Sequence, residues 1–379
     1  MTRILYLTPG CFDKGGISRY GRYQIEALRE IVGPVNLRVL SLLGPDEDSF
    51  ETGFDVAWHG GSGAATRGSR ARFALRAARE VALWRPDVIL CAHVNFTPLV
   101  SRLAQLSGAT TVLNVYGLEL WSGLTPARLA HMGRMDHVIS DCHATADHVR
   151  NEAMHADDPV VIWDCVDLER FCPGPAPDHL VTRYGLPEAG TRRIVLTLGR
   201  LAVAARHKGY DRLIEIWGHV RTCMPDAHLV VAGRGDDADR LKAKVADLGL
   251  SDSISFTGSV DEEDLAAIYR VGDVFCLVSD KGPGRGEGIP LTPLEAMASG
   301  VPVLVGNEDG SREAVDAGRN GTVVSPRDAD AMTNALVDLL TRAGPGLAAE
   351  ARAVATERFG YTAFVDKHRA FLADIGKGA

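Results

Sequence analysis

Short apolar runs alternate with amphipathic, helix-length stretches along nearly the whole chain, and that alternation confines the fold to parallel sheets covered by helices. The runs fall into two series. In the first, residues 4–7 read as a strand, 9–16 as a loop and 17–30 as a helix that stops near Gly33 and Pro34, with later strands at 88–91, 111–115 and 137–140. The segment Cys172-Pro173-Gly174-Pro175-Ala176-Pro177 then reads as a linker, after which strands at 193–199, 229–232, 254–257, 274–278 and 301–305 make a second series. The reading is an α/β protein of two Rossmann-like domains, 1–172 and 173–360, with the boundary inside 172–190. Beyond Asp328 the pattern is helical, and 361–379 is expected to pack back on the first domain.

A chain of 379 residues exceeds what one hydrophobic core serves, which agrees with two domains. With 49 acidic against 41 basic residues the formal charge is -8, which argues against a nucleic-acid partner, because neutralising phosphates needs an excess of Lys and Arg. Seven cysteines stand without a Cys-x-x-Cys pair for zinc or redox work, as in a reducing compartment. Met1 leads directly into the first strand without the apolar core of a signal peptide, and no segment approaches the roughly 20 apolar residues of a membrane span. A cytoplasmic location is expected.

The stretch most suited to chemistry is Gly286-Glu287-Gly288-Ile289-Pro290-Leu291-Thr292-Pro293-Leu294-Glu295, two carboxylates around a glycine-rich loop and a helix start. Loop amides before a helix N-terminus favour an anion such as a diphosphate, and flanking carboxylates suit sugar hydroxyls. Glu295 also has a plain explanation: Thr292 to Glu295 has the form of a capping box with Pro293 at the first helical position. Glu287 has no helix to cap, and its plain role is a solvated loop carboxylate. Upstream, Arg200 and Lys208-Gly209 follow a strand and place two cations at the carboxyl edge of the second sheet, where open α/β sheets bind ligands. A guanidinium grips phosphate oxygens bidentately and an ammonium adds a point charge, so the pair suits a departing diphosphate without a metal. Arg206, His207, Lys281 and Arg285 make the region basic and are weaker candidates. Gly233-Arg234-Gly235, followed by Asp236 and Asp237, reads as a structural turn.

In the first half, Gly15 and Gly16 lie between the first strand and first helix, where a backbone can approach a phosphate closely. His93, Asn114, Tyr116 and Glu119 sit at carboxyl ends of strands and are candidates for acceptor or sugar contact; His137, His143, His148 and His155 have no such placement. Residues 67–85 carry Arg67, Arg70, Arg72, Arg76, Arg79 and Arg85 with Glu80 the only acid, and Phe73, Ala77, Val81 and Trp84 recur at helical spacing. That stripe suits packing beneath the strand at 88–91. The alternative is a surface for anionic lipid or a lipid diphosphate.

Together these motifs resemble the retaining GT-B glycosyltransferases of family 4, the large family that holds sucrose synthases and phosphatidylinositol mannosyltransferases. The resemblance spans nearly the whole chain and is strongest from Gly199 to Pro326, through Gly199-Arg200, Lys208-Gly209, Phe256-Thr257-Gly258, Glu287 to Glu295, Ala296-Met297-Ala298-Ser299-Gly300-Val301-Pro302-Val303 and Gly321-Thr322-Val323-Val324. It implies two Rossmann-like domains whose sheets face across a cleft, a nucleotide-sugar donor held by the second, and an acceptor at the first. It further implies that Arg200 and Lys208 hold the donor diphosphate, Glu287 contacts the transferred sugar with Gly288, Ile289, Pro290 and Leu291 beside it, Glu295 binds the ribose hydroxyls, and Gly15 and Gly16 approach the phosphates. Three departures stand out. Tyr116-Gly117 replaces a frequent His-Gly, Asp164-Cys165-Val166-Asp167 replaces Asn-Gly-Val-Asp, and both the loop before Glu287 and the Arg200-to-Lys208 spacing are long.

The resemblance implies retaining transfer of a sugar to an acceptor hydroxyl, the leaving phosphate oxygen taking the acceptor's proton, in polysaccharide or glycoconjugate biosynthesis. No metal and no cofactor are expected. The likeness is nearest to bacterial polysaccharide mannosyltransferases, so GDP-mannose is the first donor expected, with UDP-glucose or UDP-N-acetylglucosamine behind it. The acceptor is a sugar or a lipid-linked group, with 67–85 as a peripheral contact at the inner membrane face. A GT-B-like epimerase or phosphorylase, and a non-catalytic nucleotide-sugar binding protein, are the rival readings; product analysis and donor hydrolysis separate them.

Overall fold

The computed structural model describes residues 2–13, 15–47, 49–188, 190–282 and 284–376, and divides into two compact units, Met1–Cys165 with Tyr361–Ala379, and Val166–Gly360. The expected α/β architecture is present in each.

The first unit holds a seven-stranded parallel sheet of β1 (Ile4–Thr8), β2 (Leu37–Ser41), β3 (Trp58–His59), β4 (Val88–Cys91), β5 (Thr110–Val115), β6 (His137–Ser140) and β7 (Val160–Val161), in the order β3-β2-β1-β4-β5-β6-β7. Alternate residues of β1 serve opposite faces. Leu5 and Leu7 pack with Phe73, Ala77 and Val81 of α2 (Arg67–Trp84), and Ile4 and Tyr6 with Tyr20, Ile25 and Leu28 of α1 (Gly16–Val32). Helix α2 starts in a capping box between Thr66 and Ser69 and buries the apolar stripe read from the sequence. The helix Tyr361–Ile375 lies against α1, with Phe364, Val365 and Phe371 in the same core; residues 377–379 of the expected 361–379 segment lie outside the described residues.

The second unit holds six parallel strands, β8 (Arg193–Leu198), β9 (Ala227–Ala232), β10 (Ile254–Gly258), β11 (Val274–Leu277), β12 (Val303–Gly306) and β13 (Gly321–Val324), in the order β10-β9-β8-β11-β12-β13. Strands covered on both faces read as near-continuous apolar runs, as β11 does throughout and β9 does from Leu229 to Ala232, with His228 of β9 buried and bonded to Ser255. Val195, Leu229 and Val231 pack against Ile214 and Trp217 of α3 (Tyr210–Cys223) and against Leu336 and Leu340. Each fully buried Leu or Ile contributes about 1.5–3 kcal/mol.

The division between units falls at Cys165 and Val166, ahead of the expected 172. The stretch 166–172, ahead of the proline-rich segment, is tied into the second unit by backbone contacts: Arg352 donates to the carbonyls of Leu168 and Phe171, Arg270 to that of Cys172, and the Val166 amide to that of Phe359. Among the described residues no helix is long and apolar enough to cross a membrane.

Candidate functional site

In both sheets the strand order reverses once, between β1 and β4 and between β8 and β11, and the crevice at the carboxyl ends of such strands is where open α/β sheets take ligands. In the second unit the loops leaving β8 and β11 carry Arg200, Lys208 and Glu287. Gly209 joins them. Its φ of 89° is left-handed, and a Cβ there would stand 2.3 Å from the Val278 carbonyl oxygen, so only glycine lets the end of the first loop rest on the end of β11.

That contact brings Lys208 and His207 to Glu287. Lys208 Nζ lies 2.7 Å and His207 Nε2 2.8 Å from the same oxygen, Glu287 Oε1. The Glu287 backbone is fixed from behind: its amide donates to Asp309 Oδ2 at 3.0 Å, its carbonyl accepts from Gly310, and Asp309 Oδ1 takes the Ser311 amide. Burial works to raise the Glu287 pKa, but the Lys208 charge and the bonds from His207 and Lys208 outweigh it and hold the carboxyl down at about 2. Asp309 is pushed the other way by its own burial, with Glu287 adding to the effect.

Arg200 is exposed and makes no hydrogen bond or ion pair among the described residues. It is close enough to Tyr210 to oppose the rise in that phenol's pKa caused by burial and by Glu287. The Tyr210 hydroxyl, the Thr197 hydroxyl near the end of β8 and His207 Nδ1 are buried without a hydrogen-bond partner among the described residues. A free guanidinium beside unpaired polar atoms, next to a paired carboxylate, is suited to an anion joined to a polyol. Arg206 and Arg285 do not take part: Arg206 is held by Asp237 and Arg285 by Asp280. The amide of Lys281 is held by Glu308. Pro283 lies outside the described residues.

The capping box expected at Thr292 is not formed. Pro290, extended at φ -73° and ψ 139°, is the N-cap, and α4 runs Leu291–Ala298, so Pro293 falls third in the helix, where its missing N–H still leaves no bond unmade. Glu295 therefore points into the core, 2% exposed, and accepts the Tyr269 hydroxyl at 2.5 Å. Gly288 is half-buried, Ile289 and Pro290 are buried, and the Thr292 hydroxyl is buried without a hydrogen-bond partner among the described residues.

In the first unit Gly15 and Gly16 are exposed at the start of α1, the Gly15 amide bound to Asp13 at 2.8 Å; Lys14 lies outside the described residues. His93 is half-buried after β4, its Nδ1 accepting the Asn95 amide, with burial and then Arg128 lowering its pKa. Asn114 and Tyr116, expected to contact acceptor or sugar, lie in the core instead, because that face of β5 is covered by α1 and the helix Tyr361–Ile375. Asn114 Nδ2 donates to Gln24 at 2.5 Å and to Tyr116 Oη at 3.2 Å, and Gln24 in turn meets Tyr6 and His368. Glu119 is half-buried and takes the Tyr116 amide at 2.7 Å. Asp261, Glu263 and Asp264 converge among the described residues, and Arg183 pairs with all of them.

His207 and Asp309 are the residues that the sequence reading passed over or ranked low. His207 was one of several basic neighbours, and Asp309 is marked only by the Asp-Gly-Ser turn that follows β12.

Residues 182–357 match the family of glycosyl transferases group 1, and residues 14–170 match Glycosyltransferase Family 4. The chain is 35% identical over 251 residues to a GDP-mannose-dependent alpha-(1-6)-phosphatidylinositol monomannoside mannosyltransferase of Mycolicibacterium smegmatis, the match covering 64% of this chain and 64% of that protein. It is 29% identical to the phosphatidyl-myo-inositol mannosyltransferase of the same organism over 72% of this chain and 68% of that protein. In fold it is similar to Anabaena Alr3699/HepE in complex with UDP, at a TM-score of 0.77 and 17% identity over 98% of this chain and all of that one. It is likewise similar to sucrose-phosphate synthase from Thermosynechococcus elongatus, at a TM-score of 0.76 and 20% identity over the full length of both chains. With both halves matched in order and both sheets of the expected topology, the chain belongs to the family 4 glycosyltransferases of the GT-B fold.

Proposed function

We propose that this protein transfers a sugar from a nucleoside-diphosphate donor to an acceptor hydroxyl with retention at the anomeric carbon. The observation that carries the proposal is the pairing of Lys208 and His207 with Glu287 beside Arg200, which has no hydrogen bond or ion pair among the described residues, all at the reversal point between β8 and β11. Arg200 grips the diphosphate, and Lys208 turns from Glu287 to the leaving phosphate oxygen as charge grows there. Glu287 orients the sugar, and the phosphate oxygen takes the acceptor's proton, so binding and electrostatics do the work and no metal is needed. The ribose role of Glu295 rests on the family resemblance, and its carboxylate also serves Tyr269. GDP-mannose is the first donor to test, in line with the naming of the mycobacterial relatives, and a sugar or lipid-linked hydroxyl the first acceptor.

A thermal-shift panel of GDP-mannose, UDP-glucose and UDP-N-acetylglucosamine tests the donor, since a ligand that binds only the folded state raises its melting temperature by mass action. GDP-mannose is expected to give the largest rise. A larger rise with a UDP-sugar reassigns the base, and no rise with any of them removes the reading.

The ion cluster also sets a pH signature. A carboxyl depressed to about 2 by folding contributes stability that is fully present above its ordinary pKa of 4.5 and is lost as pH falls through about 2. Lys208→Met removes the main cause, so the variant should be less stable than wild type by about 2 kcal/mol at pH 7, and the gap should shrink between pH 4.5 and 2. Urea unfolding at pH 7 and pH 3 checks this; a gap that does not change with pH contradicts it.

A peripheral membrane contact is proposed for α2. Leu75 and Leu83 are each 71% exposed, with Arg72 and Arg79 exposed beside them. Apolar side chains flanked by guanidinium groups suit an anionic lipid surface. The wild type should sediment with phosphatidylglycerol vesicles at low salt, and Leu75→Ser/Leu83→Ser should stay in the supernatant. Equal sedimentation of both, or of neither, rejects this surface.

A further inference from the structure

We propose that His207 is a positioning residue for Glu287, holding that carboxylate in its sugar-facing orientation once Lys208 has turned to the diphosphate. The inference rests on the donor site proposed above and adds to it a task that Lys208 cannot perform at the same time.

The geometry is uneven in a telling way. Both donors reach Glu287 Oε1, at 2.8 Å from His207 and 2.7 Å from Lys208, while Oε2 makes no hydrogen bond among the described residues. Two bonds on one oxygen fix the plane of the carboxylate and leave the other oxygen for a ligand hydroxyl. A diphosphate competes for the ammonium of Lys208, a flexible point charge with three donors. The imidazole has no such freedom. Its side chain is 9% exposed, and its carbonyl accepts the Asp280 amide at 2.9 Å, tying the residue to the loop after β11.

The tautomer follows from the surroundings. Nδ1 is buried without a hydrogen-bond partner among the described residues, and a bare ring nitrogen in such a place costs less than an N–H with no acceptor. The proton is accordingly assigned to Nε2, which donates to Glu287. With the donor bound, Glu287 keeps one hydrogen-bond donor behind Oε1. Without His207, the carboxylate would follow the lysine or rotate, and a misplacement of about 1 Å can cost on the order of 10²-fold in rate.

The test uses the full chain, GDP binding by calorimetry, and hydrolysis of GDP-mannose, UDP-glucose and UDP-N-acetylglucosamine as donor probes. His207→Ala should lower kcat for the best donor by about ten- to a hundredfold, with KM and GDP affinity within about threefold of wild type. His207→Gln carries an N–H at similar reach and should recover most of kcat. If His207→Ala keeps wild-type kcat, if it acts on KM alone, or if the glutamine variant binds GDP normally yet recovers nothing, the positioning role is wrong while the donor site stands. If the wild type neither binds GDP nor hydrolyses any of these donors, the donor site itself is wrong and the inference falls with it.

Discussion

Replacing Arg200 by alanine will lower the release of nucleoside diphosphate from the sugar donor by about 10²–10³-fold and leave the folded protein as stable as before. The size follows from the role. A preorganised cation aimed at a departing diphosphate acts where charge develops, and losing one such group typically removes about 3–4 kcal/mol of transition-state stabilisation. The absence of a stability effect follows from the structure: the side chain is exposed and has no hydrogen bond or ion pair among the described residues to lose. Arg200→Lys should recover only part of the rate, because an ammonium cannot make the bidentate contact. Turnover by Arg200→Ala within about threefold of wild type would remove Arg200 from the mechanism.

The second large effect is on folding. Gly233→Ala should destabilise the second unit by about 3 kcal/mol or more, lowering its melting temperature by roughly 6–12 °C, and should weaken nucleotide binding in the protein that remains folded. Gly233 has φ 135°, and a Cβ there would lie 1.9 Å from the Gly199 carbonyl oxygen. The turn after β9 is thus in direct backbone contact with the residue before Arg200. The Gly199 amide also donates to Ala232 and the Leu201 amide to Arg234, so any backbone shift that relieves the clash moves Arg200. Gly218, inside α3, has nothing within 4 Å of a Cβ position, and Gly218→Ala should stabilise the same unit by about 0.5–1 kcal/mol. If calorimetry finds the two substitutions alike, the close-packed turn is not what holds the Arg200 loop.

The parts of the fold that the sequence shows are those where local pattern and burial agree. Strands β4 and β11, with residues 4–7 of β1, 194–196 of β8 and 229–232 of β9, are apolar runs because both their faces are covered, and a run of that kind is visible without a partner. Strands β3 and β7 span two residues each, too short to carry a pattern. Arg38 interrupts β2, and its guanidinium leaves the strand to pair with Glu80 of α2, a contact 42 residues away that no local signal reports. The division at Cys165 and Val166 is equally invisible locally: Arg352 and Arg270 reach the carbonyls of Leu168 and Cys172 across long stretches of chain.

At the candidate site, Arg200, Lys208 and Glu287 stand out in the sequence because each follows a strand and stands near glycine. Which of Arg206, His207 and Lys208 turns inward was not readable. It is set by the tight turn Val203–Lys208, which sends Arg206 to Asp237 and the next two residues to Glu287. The sequence pattern Thr-Pro-Leu-Glu suggests a cap at Thr292 with Pro293 first in the helix, whereas Pro290 is the N-cap and the helix already begins at Leu291.

Equilibrium titration of GDP and UDP into the wild-type protein and Arg200→Ala tests the central claim most directly, because it asks whether the loops after β8 and β11 hold a nucleoside diphosphate at all. At least one of the two should bind wild type at micromolar concentration, and Arg200→Ala should bind it at least about tenfold more weakly at unchanged stability. Failure of both nucleotides to bind wild type at millimolar concentration, or equal affinity for the two proteins, would contradict the account.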